Sequence, residues 1–195
     1  MSDQSRIADL LAAIVRGDRA AHERLFEIVY QELKGIARAN LRRSGNGLTI
    51  NPTTLVHETW IRFSRLDPAA IEGAAHFYNI VAQAMRHILY DLVSRKLAIR
   101  NGGALARAQL TDRIEADDKP IEELVAVHGA LSKLEACDAE LSTVIEWHYF
   151  AGLSVSEIAQ LRQVSERTVK RHLAMGRAFL HDALDEIPAQ NGAPG

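Results

Sequence analysis

The chain has 195 residues, 47% of them apolar and 25% charged, enough for one comfortable core or two small ones. Its 23 basic and 25 acidic residues leave a formal charge of −2 and a pI of about 6.4, so no overall basicity points to nucleic acid. The single cysteine, Cys137, excludes an internal disulfide framework and most cysteine-based zinc sites.

No run approaches the roughly 18 apolar residues of a membrane span. The opening MSDQSRIADLLAAIVRGD carries Asp3 and Asp9 and no basic start, which argues against a secretory signal and for a cytoplasmic location. From there the apolar residues recur at helical spacing. Leu25, Val29, Leu33, Ile36, Ala37 and Leu41 form one set, ended by the breaker cluster Arg43-Ser44-Gly45-Asn46-Gly47. Asn51-Pro52 reads as N-cap and first helical residue of the next helix, which carries Val56, Trp60 and Phe63. A third set is Phe77, Ile80, Val81, Ala84, Ile88 and Leu92, and a last one Val169, Leu173, Gly176, Leu180 and Leu184. Alternation of the β type is almost absent. The expected fold is all-α, with two small helical domains at 1–97 and 121–187. Between them, 98–120 reads as a flexible linker: it holds Gly102-Gly103 and four bases against four acids, with weak periodicity. Residues 188–195 read as a disordered tail.

The segment most informative about chemistry is LSVSEIAQLRQVSERTVKRHLAMGRAFLHDAL, residues 153–184. Ser154 and Glu157 have capping-box spacing and open a short helix over 155–161. A turn at Arg162-Gln163-Val164 follows, and Ser165 caps a second helix. This is a helix-turn-helix layout, in which the second helix enters the major groove N-terminal end first. Val169 and Leu173 point inward, and Arg167, Thr168, Lys170 and Arg171 share the opposite side. Residues 162–177 hold five bases and one acid, whereas the rest of 120–195 holds one base and ten acids. Cations gathered on one element of an acidic domain favour phosphate and base-edge contacts. Ser165, Arg167, Thr168, Lys170, Arg171 and Arg177 are the expected DNA-contacting set.

This segment resembles the promoter-recognition helix-turn-helix of bacterial RNA polymerase sigma factors, in particular the compact extracytoplasmic-function (ECF) class. Two further motifs match in order. Leu55-Val56-His57-Glu58-Thr59-Trp60 is similar to the polymerase-binding helix of that class, usually Leu-Val-Gln-Glu-Thr-Phe, and AQAMRHILYDLVSRK at 82–96 is similar to its minus-ten-binding helix. The resemblance covers about 20–97 and 121–184. It implies a first domain that binds core RNA polymerase and captures an unstacked minus-ten base, and a second that holds the minus-thirty-five duplex of promoter DNA. Leu55, Glu58 and Arg62 would then form the polymerase contact. Phe77, Tyr78, Arg86, His87, Tyr90, Arg95 and Lys96 would serve the minus-ten element, since unpaired bases call for aromatic and basic partners.

Departures from that pattern carry information too. Asn51-Pro52-Thr53-Thr54 stands where the class usually has Asp-Ala-Glu-Asp, and His172 and Met175 stand where arginines are common. Interfacial charge pairs can contribute a few kcal/mol, so the missing acids bear on polymerase binding. Phosphate at a helix N-terminus is favoured and adds about −1.5 to −2 charge. Phosphorylation of Thr54, or of Thr53 or Thr59, by a Ser/Thr protein kinase would restore the acidity. An anti-sigma factor is a further partner such a protein could have.

Other constellations are weaker. His57-Glu58 lacks a second histidine four positions on, because residue 61 is Ile, so it is no zinc-protease motif. With no glycine-rich phosphate loop and no nucleophile set, neither catalysis, a cofactor nor a metal is expected. Two alternatives remain open at this level: a stand-alone helix-turn-helix regulator, and a helical adaptor that has lost promoter activity.

Overall fold

The structure, a computed structural model, describes residues 3–43, 52–65, 70–102 and 119–186. Those residues form eight helices and no strand. They are α1 (Asp3–Val15), α2 (Arg19–Arg43), α3 (Pro52–Ser64), α4 (Ala74–Gly102), α5 (Lys119–Cys137), α6 (Ala139–Tyr149), α7 (Val155–Arg162) and α8 (Glu166–Asp185). The breaker cluster after Arg43, Asn51, residues 103–118 of the expected linker and the tail from 187 onward lie outside the described residues.

Local chemistry sets the helix ends. Gly17, at φ 89°, closes α1 in a conformation that a Cβ would strain, and the Asp18 carboxylate then accepts from the Ala20 N–H at 2.9 Å as α2 begins. Asp138 caps α6 by accepting from the Leu141 N–H at 3.0 Å. Ser154 and Glu157 complete a reciprocal capping box at α7.

In the N-terminal half, α1–α4 pack around Ile7, Leu11, Leu25, Val29, Leu55, Val56, Phe77, Val81 and Met85, all buried. Phe26 of α2 meets Trp60 of α3 edge to face, with ring centroids 4.7 Å apart. The side chains of Leu33, Ile36, Ala37, Leu41, Phe63 and Leu92 lie outside the described residues. In the C-terminal half, α5–α8 enclose Leu131, Leu134, Val144, Ile145, Ile158, Val169 and Leu173. Gly176 lets α8 approach α6 closely, since a Cβ there would lie 2.6 Å from Ile145 Cγ1.

The two halves share one continuous core. Helix α4 runs five residues past position 97, to Gly102, and packs against α5, α6 and α7 as well as α1 and α3. The reason lies in its composition. Phe77, Tyr78, Val81, Ala82, Ala84, Met85, Ile88, Leu89 and Val93 are all buried, and at 100° per residue they cover about half of its circumference, too broad a face for one neighbour. A helix apolar on more than one side must be covered on more than one side.

Candidate nucleic-acid interface

Two surfaces were expected to meet DNA, and the structure treats them differently. On α8, the Ser165 hydroxyl accepts from the Thr168 N–H at 3.1 Å and lies 2.9 Å from the Thr168 hydroxyl. This cap starts the helix cleanly and satisfies one of its orphan donors. Val169 and Leu173 turn into the core, while Arg167, Lys170 and Arg171 are exposed. Arg167, Thr168 and Arg171 line one shallow recess. Lys170 is held only loosely, 3.6 Å from Glu166 in open solvent.

The other bases of this segment are engaged by the protein. Arg162 donates to the Glu140 carbonyl at 3.1 Å and pairs with its carboxylate at 3.0 Å, tying α7 to α6. Arg177 folds back along its own helix, its Nε donating to the Leu173 carbonyl at 3.1 Å. Between the two helices Gln163 adopts a left-handed conformation, φ 54° and ψ 41°, and its N–H donates to the carbonyls of the last turn of α7. That geometry turns the chain within three residues.

On α4 the expectation of an open DNA-facing surface does not hold in this arrangement. Phe77 and Tyr78 are interior, 1% and 3% exposed, and pack edge to face on each other. Arg86 is 4% exposed. Its Nη2 donates to Glu135 of α5 at 2.9 Å, and its Nη1 lies 2.6 Å from Glu146 Oε1 of α6. Tyr90 stacks on His128 of α5, rings 3.9 Å apart and 17° from parallel. His87 and Arg95 are exposed, and the Lys96 side chain lies outside the described residues. The physical cause is the apolar girth of α4, which draws the C-terminal half onto the face carrying Arg86, Leu89 and Tyr90.

On α3, Leu55 is fully buried, which removes it from the expected polymerase contact. Glu58 and Arg62 are exposed, and Arg62 pairs with Asp91 of α4 at 3.2 Å. Thr59 is 1% exposed, its hydroxyl donating to the Leu55 carbonyl at 2.8 Å, so it is closed to a modifying enzyme in this conformation. Thr53 is exposed, the Thr54 side chain lies outside the described residues, and the first turn carries no acid.

Sequence reasoning missed Glu135, Glu146 and His128. Glu146 did leave a signal, because it interrupts the apolar run Val144-Ile145-Glu146-Trp147 on a buried helix face. A carboxylate there demands a partner. Burial pushes the Glu146 carboxyl up to about 7 against the pull of Arg86, and Glu135 pushes the same way. Two carboxylates sharing one guanidinium leave one excess negative charge, which a proton removes. Burial, Arg86 and His87 together lower the pKa of His128, favouring its neutral form.

Among the described residues no group of acids, histidines or cysteine is placed to hold a metal ion, and no helix is long and apolar enough to cross a membrane. The family model described as "ECF sigma factor" matches residues 4–186. The ECF RNA polymerase sigma factor SigM of Mycobacterium tuberculosis is 26% identical over 175 residues, which is 89% of this chain and 82% of SigM, in both strain H37Rv and strain Erdman.

Proposed function

This chain belongs to the ECF sigma factor family and directs transcription initiation, and from that premise we propose how its parts divide the work. Helix α8 holds the minus-thirty-five duplex through Arg167, Lys170 and Arg171, with Ser165 and Thr168 at the groove-entering end. Helix α4 serves the minus-ten element through His87, Tyr90, Arg95 and, once uncovered, Arg86. The exposed residues of α3, Glu58 and Arg62, contact core RNA polymerase. The protein works in the cytoplasm and performs no catalysis of its own.

One observation carries this reading. The exposed cations of α8 stand on a capped helix whose other face is fixed by Val169, Leu173 and Gly176 in an otherwise acidic half. A solvated face has no need of that segregation, whereas a DNA-reading face does. A stand-alone regulator would leave α3 and α4 without a role, although the family match spans both.

Reconstitution with core polymerase tests it. Wild-type protein starts transcription at a defined site without another sigma factor. The Arg167→Ala/Lys170→Ala/Arg171→Ala variant loses initiation at promoters that depend on the minus-thirty-five element. Unchanged initiation would sink the assignment. Glu58→Ala keeps the fold and weakens capture of core polymerase, and normal capture counts against the α3 surface.

A second reading rests on the acid-free first turn of α3 and the exposure of Thr53. Phosphate on Thr53 or Thr54 places negative charge at the positive end of the helix dipole, where the class usually carries acids. The burial of Thr59 argues against that site. Mass spectrometry of the native protein and transcription by Thr53→Ala, Thr54→Ala and the matching Asp variants test the switch. Full activity of unphosphorylated protein with purified core polymerase ends it.

A further inference from the structure

One exposed residue of α8 stands outside the charge pattern described above. Met175 is 50% exposed, and the other large apolar side chains left open among the described residues are Val15, at the end of α1, and Val164, in the turn before α8. A lone apolar side chain on a surface needs no partner. The surroundings of Met175 set it apart. Thr168, Arg171 and Met175 follow one another at i, i+3 and i+7, so they share one line along the helix. The first two line the recess on the DNA-facing side. Ala174 and Ala178, also exposed, carry nothing longer than a methyl. Arg177 lies along the line of Lys170, its Nε folded back onto the Leu173 carbonyl. The next outward polar side chains are His181 and Asp182, near the far end. The outward face thus runs from a cationic start through an apolar middle to an acidic end.

We propose that Met175 is a specificity determinant of α8, packing on the 5-methyl group of a thymine in the minus-thirty-five element, close to the base pair read by Arg171. This role rests on the reading of α8 as the minus-thirty-five helix and adds the kind of base it selects.

Chemistry selects the base. A thioether donates no hydrogen bond and accepts only weakly, so it cannot read the polar edges of guanine, adenine or cytosine. In the major groove thymine alone of the four bases presents an apolar group, its C5 methyl. The flexible, polarisable methionine side chain adapts to such a group. Distance agrees with this. Four residues of helix advance about 6 Å, less than two base-pair steps of about 3.4 Å. A guanine held by Arg171 through O6 and N7 therefore puts the thymine one or two steps away. The short side chains of Ala174 and Ala178 let the helix lie along the groove rather than meet it with its first turn only. Arg171 in line with Met175, and Arg167 and Lys170 beside them, make DNA its partner rather than an apolar protein surface.

The test uses the full chain assembled with core polymerase. The wild-type holoenzyme first enriches a preferred element from a duplex library randomised over the minus-ten and minus-thirty-five regions. Single thymines of that element, on either strand, are then replaced by deoxyuridine, which lacks only the methyl. One replacement, within two steps of a guanine at which Arg171→Ala relaxes selection, weakens competition binding about fourfold, the effect of burying one methyl-sized group. Met175→Ala binds the thymine and deoxyuridine duplexes equally, whereas Met175→Leu keeps the preference. At the same position 5-methylcytosine binds better than cytosine with the wild type and not with Met175→Ala. Both variants change an exposed side chain, so circular dichroism and capture of core polymerase stay at wild-type levels.

Equal binding of thymine and deoxyuridine duplexes by the wild type overturns the role of Met175, as does a deoxyuridine penalty that Met175→Ala retains. Loss of polymerase capture by folded Met175→Ala puts the residue on a protein interface and overturns it too. Enrichment of the wild-type element by Arg167→Ala/Lys170→Ala/Arg171→Ala overturns the reading of α8 itself.

Discussion

Two arginine-bearing helices of the same chain have met opposite fates. On α8, Arg167 and Arg171 stand in solvent on a helix with one sharply apolar side. On α4, Arg86 is enclosed between two carboxylates because it stands at the edge of a buried apolar face that covers about half of that helix. The neighbours of each arginine along the chain do not separate the cases, since both sit in basic, histidine-containing stretches. The width of the apolar stripe does. A narrow stripe leaves its flanks to a partner in solution, and a wide one carries a flanking residue into the protein's own core.

The strongest way to break this comparison is to remove the carboxylate that makes Arg86 tolerable inside. Glu146→Ala should destabilise the protein by about 3 kcal/mol, the low end for breaking a buried pair because Glu135 still holds Nη2; urea unfolding measures it. The corresponding change on α8 should leave stability within about 0.5 kcal/mol. Arg171→Ala should instead cost about 1–3 kcal/mol in promoter affinity and relax discrimination at one base pair, read by competition binding.

A change at the junction of cap and groove touches both properties. Ser165→Ala should cost about 1 kcal/mol of stability through loss of the bond to Thr168, and it should weaken duplex binding in parallel. Thermal unfolding and duplex titration on the same preparation separate the two effects.

Acidity sharpens the contrast without any substitution on α8. The pKa of Glu146 is raised to about 7 when buried, so the packed form binds a proton that the unfolded chain releases. Its contribution is fully present below the ordinary carboxylate pKa of about 4.5 and is lost as pH rises through 7. His128 has the opposite sign, since its lowered pKa favours the packed form as pH rises through the ordinary histidine value. The difference in unfolding free energy between wild type and Glu146→Gln, followed from pH 6 to 8, isolates what the Glu146 carboxyl contributes. A constant difference would show that this carboxyl does not titrate there. The smallest effect belongs to the exposed pair on α8: Glu166→Gln should change stability by no more than about 0.5 kcal/mol, and high salt should erase it.

The parts legible in the sequence were those governed by near neighbours. The α7–turn–α8 segment could be read because its caps, its turn and its inward Val169 and Leu173 are all specified within a few residues. Helical spacing likewise separated Val169 from Arg167, and it marked Glu58 as outward. It failed at Leu55, which shares α3 with Val56 but is covered from a second direction, and at Thr59, whose hydroxyl is satisfied one turn back along its own helix.

Local patterning determined that this chain is all helix, where α3, α7 and α8 begin, and which family it belongs to, because caps, breakers and three ordered motifs act over short distances. Only the tertiary structure decided that the halves share a core, that Glu135 and Glu146 are the partners of Arg86, and that the DNA-facing candidates on α4 are covered. Periodicity shows that a helix face must be buried but not by what. The residues that bury Arg86 stand 49 and 60 positions away along the chain, and only packing brings them together.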